Sequence, residues 1–484
     1  MRRALSIAVA TAAATCLVGA VLAPGAAGQI AAGQITAEQR DPSTAIDLQP
    51  RDRRQTVEGF GFSSAFQRAA LLHQISEPQR SEGLDLLLGR DGAAPDILRI
   101  GIGGQSHDTY DVMLSIQPED PGGPDAEPQY QWDGWDNGSV WFAQEARARG
   151  VDRFYGNAWT APAYMKTNGS AVRGGTLCGL SDASCASGDW TEAYANYLVA
   201  WADLYAEEGI DIESIAFTNE PDWNTSYESM LFTPEQAAEF TGILGPIAQR
   251  SGYGVVCCDS FGWEQGKPYL DALKADKKAW RHLDVFSSHS YASRSATPAG
   301  TDKPVWMSEW AASNTAAGWN ENWDGGQAVS TDGIVMAEHM HDSLAEAGVT
   351  AYLWWLGVSQ GASASLIQAD VAGDTYRVSS RYYVFSAFSR FIDPGAVRFD
   401  AEHEVDGLKV SAYRNPDGSR VVQLLNLNEA PVRTDIDLPR RVTTYLTDNE
   451  HDLERVDAIA TSVRGSTELD LPARSLVTLV SGRG

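Results

Sequence analysis

The feature that most constrains this chain is an alternation of two kinds of segment. Eight short, β-rich apolar runs recur between residues 59 and 357. They are "GFGFSSAF" (59–66), "ILRIGIGG" (97–104), "RFYGNAWTAP" (153–162), "SIAFTNEP" (214–221), "GVVCCDSFGW" (254–263), "DVFSSHSY" (284–291), "PVWMSEW" (304–310) and "AYLWWLG" (351–357). Helical segments separate most of them, among them 77–89, 189–209, 233–252 and 332–348. Each has apolar residues at three- and four-residue spacing and a glycine stop, and several open on a cap-like Asp or Thr. Strands that alternate with helices pair in parallel, and eight of them close a (β/α)8 barrel. The expected fold class is therefore α/β, a TIM barrel. An open doubly wound sheet would want a Gly-rich phosphate loop after its first strand. "GIGGQS" follows the second run and leads into no suitable helix. One unit is incomplete: "ASRSATPAGTDK" (292–303) is too polar and Pro/Gly-rich for a full helix.

From about Pro394 the period changes to two. "VRFDAEHEVDGLKVSAYRNPDGSRVVQLLNLN" (397–428) alternates around an "NPDG" hairpin turn, and "STELDLPARSLVTLVSG" (466–482) reads as a last strand pair. This predicts a C-terminal β-sandwich side domain. The strand-like "TAIDLQPRDRRQTVEG" (44–59) is expected to join it, so that both ends of the chain build one domain. The expected boundaries are a signal peptide at 1–28, a disordered lead-in at 29–43, an N-terminal strand at 44–58, a barrel at 59–393 and a sandwich at 394–484.

The signal peptide rests on two arginines, an apolar run rich in Ala and Thr, and small residues near Ala26 and Ala27. It predicts a secreted, extracellular protein, with no membrane contact once the signal is cleaved. A formal charge of −27 argues against nucleic acid and anionic membrane surfaces as partners, since no cationic patch is available to neutralise phosphates. Export makes disulfides plausible for the four cysteines beyond Cys16. Cys178 and Cys185 end the loop "CGLSDASC", which can fold back on itself. Cys257 and Cys258 are adjacent, and the usual Cα separation of about 3.8 Å is short for a bridge, so a strained bond and two buried thiols both stand open. No CxxC spacing suggests zinc.

Chemistry in such a barrel sits at the C-terminal ends of the strands. Two glutamates end their runs there: Glu220 on the fourth and Glu309 on the seventh. Glycosidic bond hydrolysis needs a proton donor and a second carboxylate, and a separation of about 5–5.5 Å lets the second attack the anomeric carbon with net retention. Burial and mutual repulsion would keep one carboxyl protonated and the other ionised. Asn219 could bind a sugar hydroxyl. Arg99, inside an apolar strand, needs a buried carboxylate partner. Trp159, Tyr164, Trp263, Tyr291, Trp310 and Trp355 cluster at strand ends, where aromatic faces could stack on sugar rings, although such a residue taken singly is more often core. His289 reads as a core histidine or a support of the site. His339 and His341, two apart on a helix, face different ways and make no metal pair. "GWNENWDGG" (318–326) reads as a substrate-facing loop or a solvated turn.

At these motifs the sequence resembles glycoside hydrolase family 30. The matching pieces are "VEGFGFSSAFQRA", "NAWTAPAYMKTNGSAVRGGTLCG", "TNEPDW", "CCDSFGWE", "SSHSY", "PVWMSEW" and "LPARSLVTLV". "APAYMKTNG", "GGTLCG" and "CCD" are most like the subgroup of secreted xylanases and glucuronoxylanases. The resemblance implies Glu220 as acid/base and Glu309 as nucleophile, supported by Arg99, Asn219 and Tyr291, with Trp159 as a sugar-binding wall. It also implies that Arg68 could hold an acidic side group of xylan, as a guanidinium pairs with a carboxylate in bidentate fashion. The expected activity is retaining hydrolysis of β-1,4-xylan or glucuronoxylan by a monomer with no metal or organic cofactor. A β-1,6-galactanase, a related β-glycosidase and a carbohydrate-binding protein without catalysis are the alternatives.

Overall fold

The structure, a computed structural model, describes residues 45–108, 111–312, 319–326, 331–360, 364–438, 442–463 and 466–482. The expected signal peptide and lead-in lie outside these. Strand β1 (Ala45–Thr56) comes first, and eight parallel strands then close a barrel. These are β2 (Gly59–Ser63), β3 (Ile97–Ile102), β4 (Arg153–Ala158), β5 (Ile212–Ala216), β6 (Gly254–Ser260), β7 (Val285–His289), β8 (Val305–Glu309) and β9 (Ala351–Leu356). Pairing of β2 with both β3 and β9 completes the ring. Each of the eight apolar runs became one strand, because a strand buried on both faces has no polar side to alternate with.

The barrel centre is filled by Ile97, Tyr155, Ala216, Val256, Val285, Trp306, Ala351 and Leu353. Tyr155 and Trp306 meet edge to face at 5.4 Å. A larger apolar layer joins the barrel's outer face to its helices: α1 (Ala70–His73), α2 (Gln79–Leu88), α3 (Ser139–Ala148), α4 (Thr191–Glu207), α5 (Pro234–Arg250), α6 (Trp263–Ala275), α7 (Lys277–His282), α8 (Gly333–His341) and α9 (Ser380–Ser389). Helix α5 shows why such segments start where they do. Thr233 and Gln236 cap each other reciprocally, and Pro234 fills the first position, where no amide partner is needed. As expected, residues 290–304 between β7 and β8 form no helix. A small sheet of β10 (Val358–Ser359), β11 (Ile367–Asp370) and β12 (Thr375–Val378) follows the last barrel strand.

The side domain contains β13 (Val397–Glu402), β14 (Leu408–Arg414), β15 (Arg420–Asn426), β16 (Val432–Ile436), β17 (Val442–Thr447), β18 (Asp452–Arg455), β19 (Ala460–Val463), β20 (Ser466–Leu471) and β21 (Ser475–Ser481). Strand β1 belongs to it. It runs antiparallel to β13 and, at Ala45 and Ile46, parallel to β16, so it bridges the two halves of the sandwich. One expectation is corrected. β20 and β21 are not a hairpin: β20 pairs with β16 and β19, and β21 with β15 and β17. The "PARS" link carries the chain across the sandwich between its layers. Period-two patterning marks which residues face the core but not which strand lies alongside.

The "GWNENWDGG" segment is also corrected. Its described part faces the side domain, not a cleft. The Trp323 indole N–H donates to the Arg474 carbonyl at 2.6 Å, and the Arg474 Nε donates to Asp324 at 2.7 Å. Among the described residues, no helix is long and apolar enough to cross a membrane. Trp306 is 1% exposed at the barrel centre. We expect Trp306→Ala to lower the unfolding free energy by about 3–5 kcal/mol in denaturant titration, the cost of an unfilled cavity.

Candidate active site

Glu220 and Glu309 converge at the C-terminal mouth of the barrel. One carboxylate oxygen of each, with a ring nitrogen of His289, lie within 4.8 Å of one another. Glu309 is the last residue of β8. Glu220 lies four residues beyond the end of β5, with φ at +50°, a conformation that side chains other than glycine seldom adopt. Three contacts hold it there. Its N–H donates to the Asp259 carbonyl at 2.8 Å, its own carbonyl accepts from Trp223 N–H at 2.9 Å, and Pro221 follows. Glu220 and Glu309 are 3% and 4% exposed, so both sit at the bottom of the site.

Their surroundings differ. Glu309 pairs with the Arg99 guanidinium through Oε2 and accepts from the Tyr291 hydroxyl through Oε1 at 2.7 Å. Glu220 accepts from the Tyr227 hydroxyl at 2.7 Å and lies 3.2 Å from His289 Nδ1. Burial pushes the Glu220 carboxyl up to about 7, with the Tyr227 hydrogen bond acting against it. Burial pushes Glu309 up as well, and His289 and Arg99 pull it back. Burial also lowers His289, which favours the neutral imidazole. Its Nε2 lies 3.5 Å from the Arg99 Nη2 and its Nδ1 faces Glu220.

Arg99 is fully buried and reaches four groups. Besides Glu309, its Nη2 donates to Asn157 at 2.7 Å and Asn219 at 2.5 Å, and its guanidinium lies 4.6 Å from the Trp159 ring centroid. The Asn219 Oδ1 is thus an acceptor for Arg99. A residue the sequence reading did not single out completes the floor. Asp259 is fully buried and accepts from the Tyr155 and Ser308 hydroxyls and, at 2.8 Å, from Asn157. Its only sequence signal was its place in "CCDSFGWE". Tyr227 was also missed, since nothing local marks it. Glu220, His289 and Glu309 could in principle hold a cation, but the Arg99 charge against Glu309 opposes one.

The remaining candidates divide. Trp159 is 1% exposed and packs against Phe66 and Trp355 at 5.7 and 5.9 Å, under Arg99. Trp355 is half-buried beside it. Trp310 stacks on His339 at 3.8 Å, so that histidine is a packing partner. Two aromatics are structural. Trp263 is buried at the start of α6 and donates to the Thr297 carbonyl, while Tyr164 donates to the Gln117 carbonyl and packs on Trp190. Sequence position at a strand end could not separate these from the ones that reach the site. Arg68 is already paired in bidentate fashion with Asp111, with which an incoming uronate would have to compete. Cys178 and Cys185 are bonded, with Cα atoms 5.5 Å apart. Cys257 and Cys258 are bonded too. Their peptide is cis, so the Cα atoms are 2.9 Å apart and the trans spacing assumed from sequence does not apply.

Comparison with known proteins agrees with this architecture. Residues 120–296 match the model of O-glycosyl hydrolase family 30, and residues 395–479 match the glycosyl hydrolase family 30 beta sandwich domain. The solved catalytic domain of GH30 xylanase C from Talaromyces cellulolyticus is 36% identical with a TM-score of 0.84, over 90% of this chain and 99% of that one. Glucuronoxylanase XynC of Bacillus subtilis is 27% identical over 308 residues, 60% of this chain and 66% of that protein, just under two thirds of its length. An endo-1,6-β-D-glucanase of Trichoderma harzianum is 23% identical over 80% of this chain and 81% of that one. On the full-length match to the Talaromyces domain and the closed barrel with its β-sandwich, the chain belongs to glycoside hydrolase family 30.

Proposed function

We propose that this chain is an exported, retaining β-glycoside hydrolase that cuts plant cell-wall β-1,4-xylan or glucuronoxylan. The observation that carries the mechanism is the pair of buried carboxylates, one oxygen of each within 4.8 Å of the other, which supports the close spacing that direct attack requires. Glu220, held protonated by burial, donates its proton to the leaving glycosidic oxygen as that bond breaks. Glu309, the carboxylate paired with a guanidinium, attacks the anomeric carbon and forms a glycosyl ester. Glu220, now ionised, takes a proton from water as the water's oxygen displaces Glu309. The proton returns to Glu220, and the sugar leaves with its original configuration.

Arg99, Asn157, Asp259 and His289 position these two groups. The xylan reading is supported by the Talaromyces and Bacillus relatives and by the "GGTLCG" and "CCD" motifs. The Arg68–Asp111 pair weakens the glucuronate part of it, since a uronate would have to displace Asp111. The second reading is a β-1,6-linked glucan or galactan, favoured by the Trichoderma relative. Export is supported by the two disulfides and the signal-like N-terminus. A binding protein without catalysis would not need both carboxylates.

Sizing the products from glucuronoxylan, arabinogalactan and β-1,6-glucan separates the substrate readings; cleavage of β-1,6-glucan or galactan alone rules out xylan. Glu309→Gln should abolish turnover in protein that still binds substrate, with a lowered thermal transition because buried Arg99 loses its anion, and retained turnover would remove Glu309 from the nucleophile role. Because Glu220 loses its proton as pH rises through about 7, kcat/KM should fall on the alkaline side with a limb there. The Tyr227 hydroxyl favours the ionised carboxylate, so Tyr227→Phe should move that limb to higher pH. A limb that stays put or moves down would show that another group sets it.

A further inference from the structure

Large apolar side chains left in the open invite an explanation when they border a site. Among the described residues, Trp135, Trp223 and Tyr227 are the large hydrophobic side chains that stand exposed, and the last two follow Glu220 by three and seven residues. Tyr227 is occupied by its bond to Glu220. Trp223, 43% exposed, has no such bond. Its indole lies flat on the Phe261 ring, with centroids 4.5 Å apart and planes at 9°. Phe261 in turn stacks on Tyr291, at 5.4 Å and 26°. The Tyr291 hydroxyl ends the column on Glu309.

Three rings from the loops after β5, β6 and β7 thus form one stack from the nucleophile's hydrogen-bond donor to the rim. Backbone contacts hold it in register. Phe261 N–H donates to Asp222 at 2.9 Å, and the Phe261 carbonyl accepts from Tyr291 and Ala292 at 3.2 and 3.1 Å. One indole face is covered by Phe261, and with 43% of the residue exposed Trp223 offers the rest of its flat surface to solvent. That is the shape and chemistry that the CH face of a pyranose complements. It is uncharged, so it suits a neutral sugar in a protein of net charge −27.

We propose that the outer end of this column, the Trp223 indole backed by Phe261, is a remote sugar subsite that stacks a β-linked pyranose one or more units beyond the scissile bond. This rests on the glycoside hydrolase reading above and adds where a longer substrate gains its affinity. Such a subsite is seen only by substrates long enough to reach it. The test is kcat/KM for xylotriose and xylohexaose, with the matching β-1,6-gluco-oligosaccharides, in the parent and in Trp223→Ala. The bond between residues 220 and 223 is backbone to backbone and survives the substitution.

The long-over-short ratio should fall about five- to tenfold, carried by KM, and Trp223→Phe should restore part of it. An unchanged ratio in an active parent overturns the subsite and leaves the hydrolase reading intact. An equal loss on both lengths also overturns it, since that reports a disturbed Glu220. A parent that cuts neither series overturns the hydrolase reading, and the subsite falls with it.

Discussion

A single guanidinium, sealed in the barrel with no solvent contact, organises this protein. A buried cation without partners would cost several kcal/mol, so Arg99 can exist here only with an anion and acceptors fixed around it. Glu309 supplies the anion, Asn157 and Asn219 supply acceptor oxygens, and Trp159 lends a ring face. The dependence is mutual. Glu309 gains an ionic partner at the end of β8, and Asn219, tethered to Arg99, sets the backbone from which the adjacent Glu220 projects. One side chain on β3 therefore registers the strand ends that carry both carboxylates.

Asp259 does the same from the other side. Its carboxylate gathers hydroxyl and amide donors from β4 and β8, and its backbone carbonyl takes the N–H of Glu220. The conformational cost of a positive φ at Glu220 is met by contacts from several strands at once. The two carboxyls end in unlike environments. Each accepts from a tyrosine hydroxyl, but Glu220 lies beside an imidazole and Glu309 beside a guanidinium. The proposed division of labour between two chemically identical groups draws on that asymmetry, which the barrel supplies through Arg99, His289 and Tyr227.

Much of this was legible in the chain. Strands buried on both faces write themselves as apolar runs, which is why all eight barrel strands could be read. Glu220 and Glu309 stood out because carboxylates are rare at the ends of such runs, and Arg99 because it interrupts one. What could not be read is non-local. Tyr227 reaches Glu220 only because a loop folds back, and Asp259 matters through partners 49 and 104 residues away. Trp263 and Tyr164 look in sequence like Trp355, yet a single hydrogen bond to a loop carbonyl anchors each in packing. The partners of β20 and β21 depended on which layer each joins, which alternation does not encode. Arg68 carried its charge in plain view, while the aspartate that cancels it lay 43 residues on.

The pairing of β1 with β13 and β16 has a consequence for synthesis. Its residues emerge from the ribosome well before either partner, so throughout elongation of the barrel segment they have no ladder to join. The side domain cannot assemble as an independent C-terminal unit after release of a finished barrel, because one of its strands was made first and is tethered to β2 by two residues. The three arginines and one aspartate of "RDRR" give that waiting edge a charged, poorly self-associating character until its mates arrive.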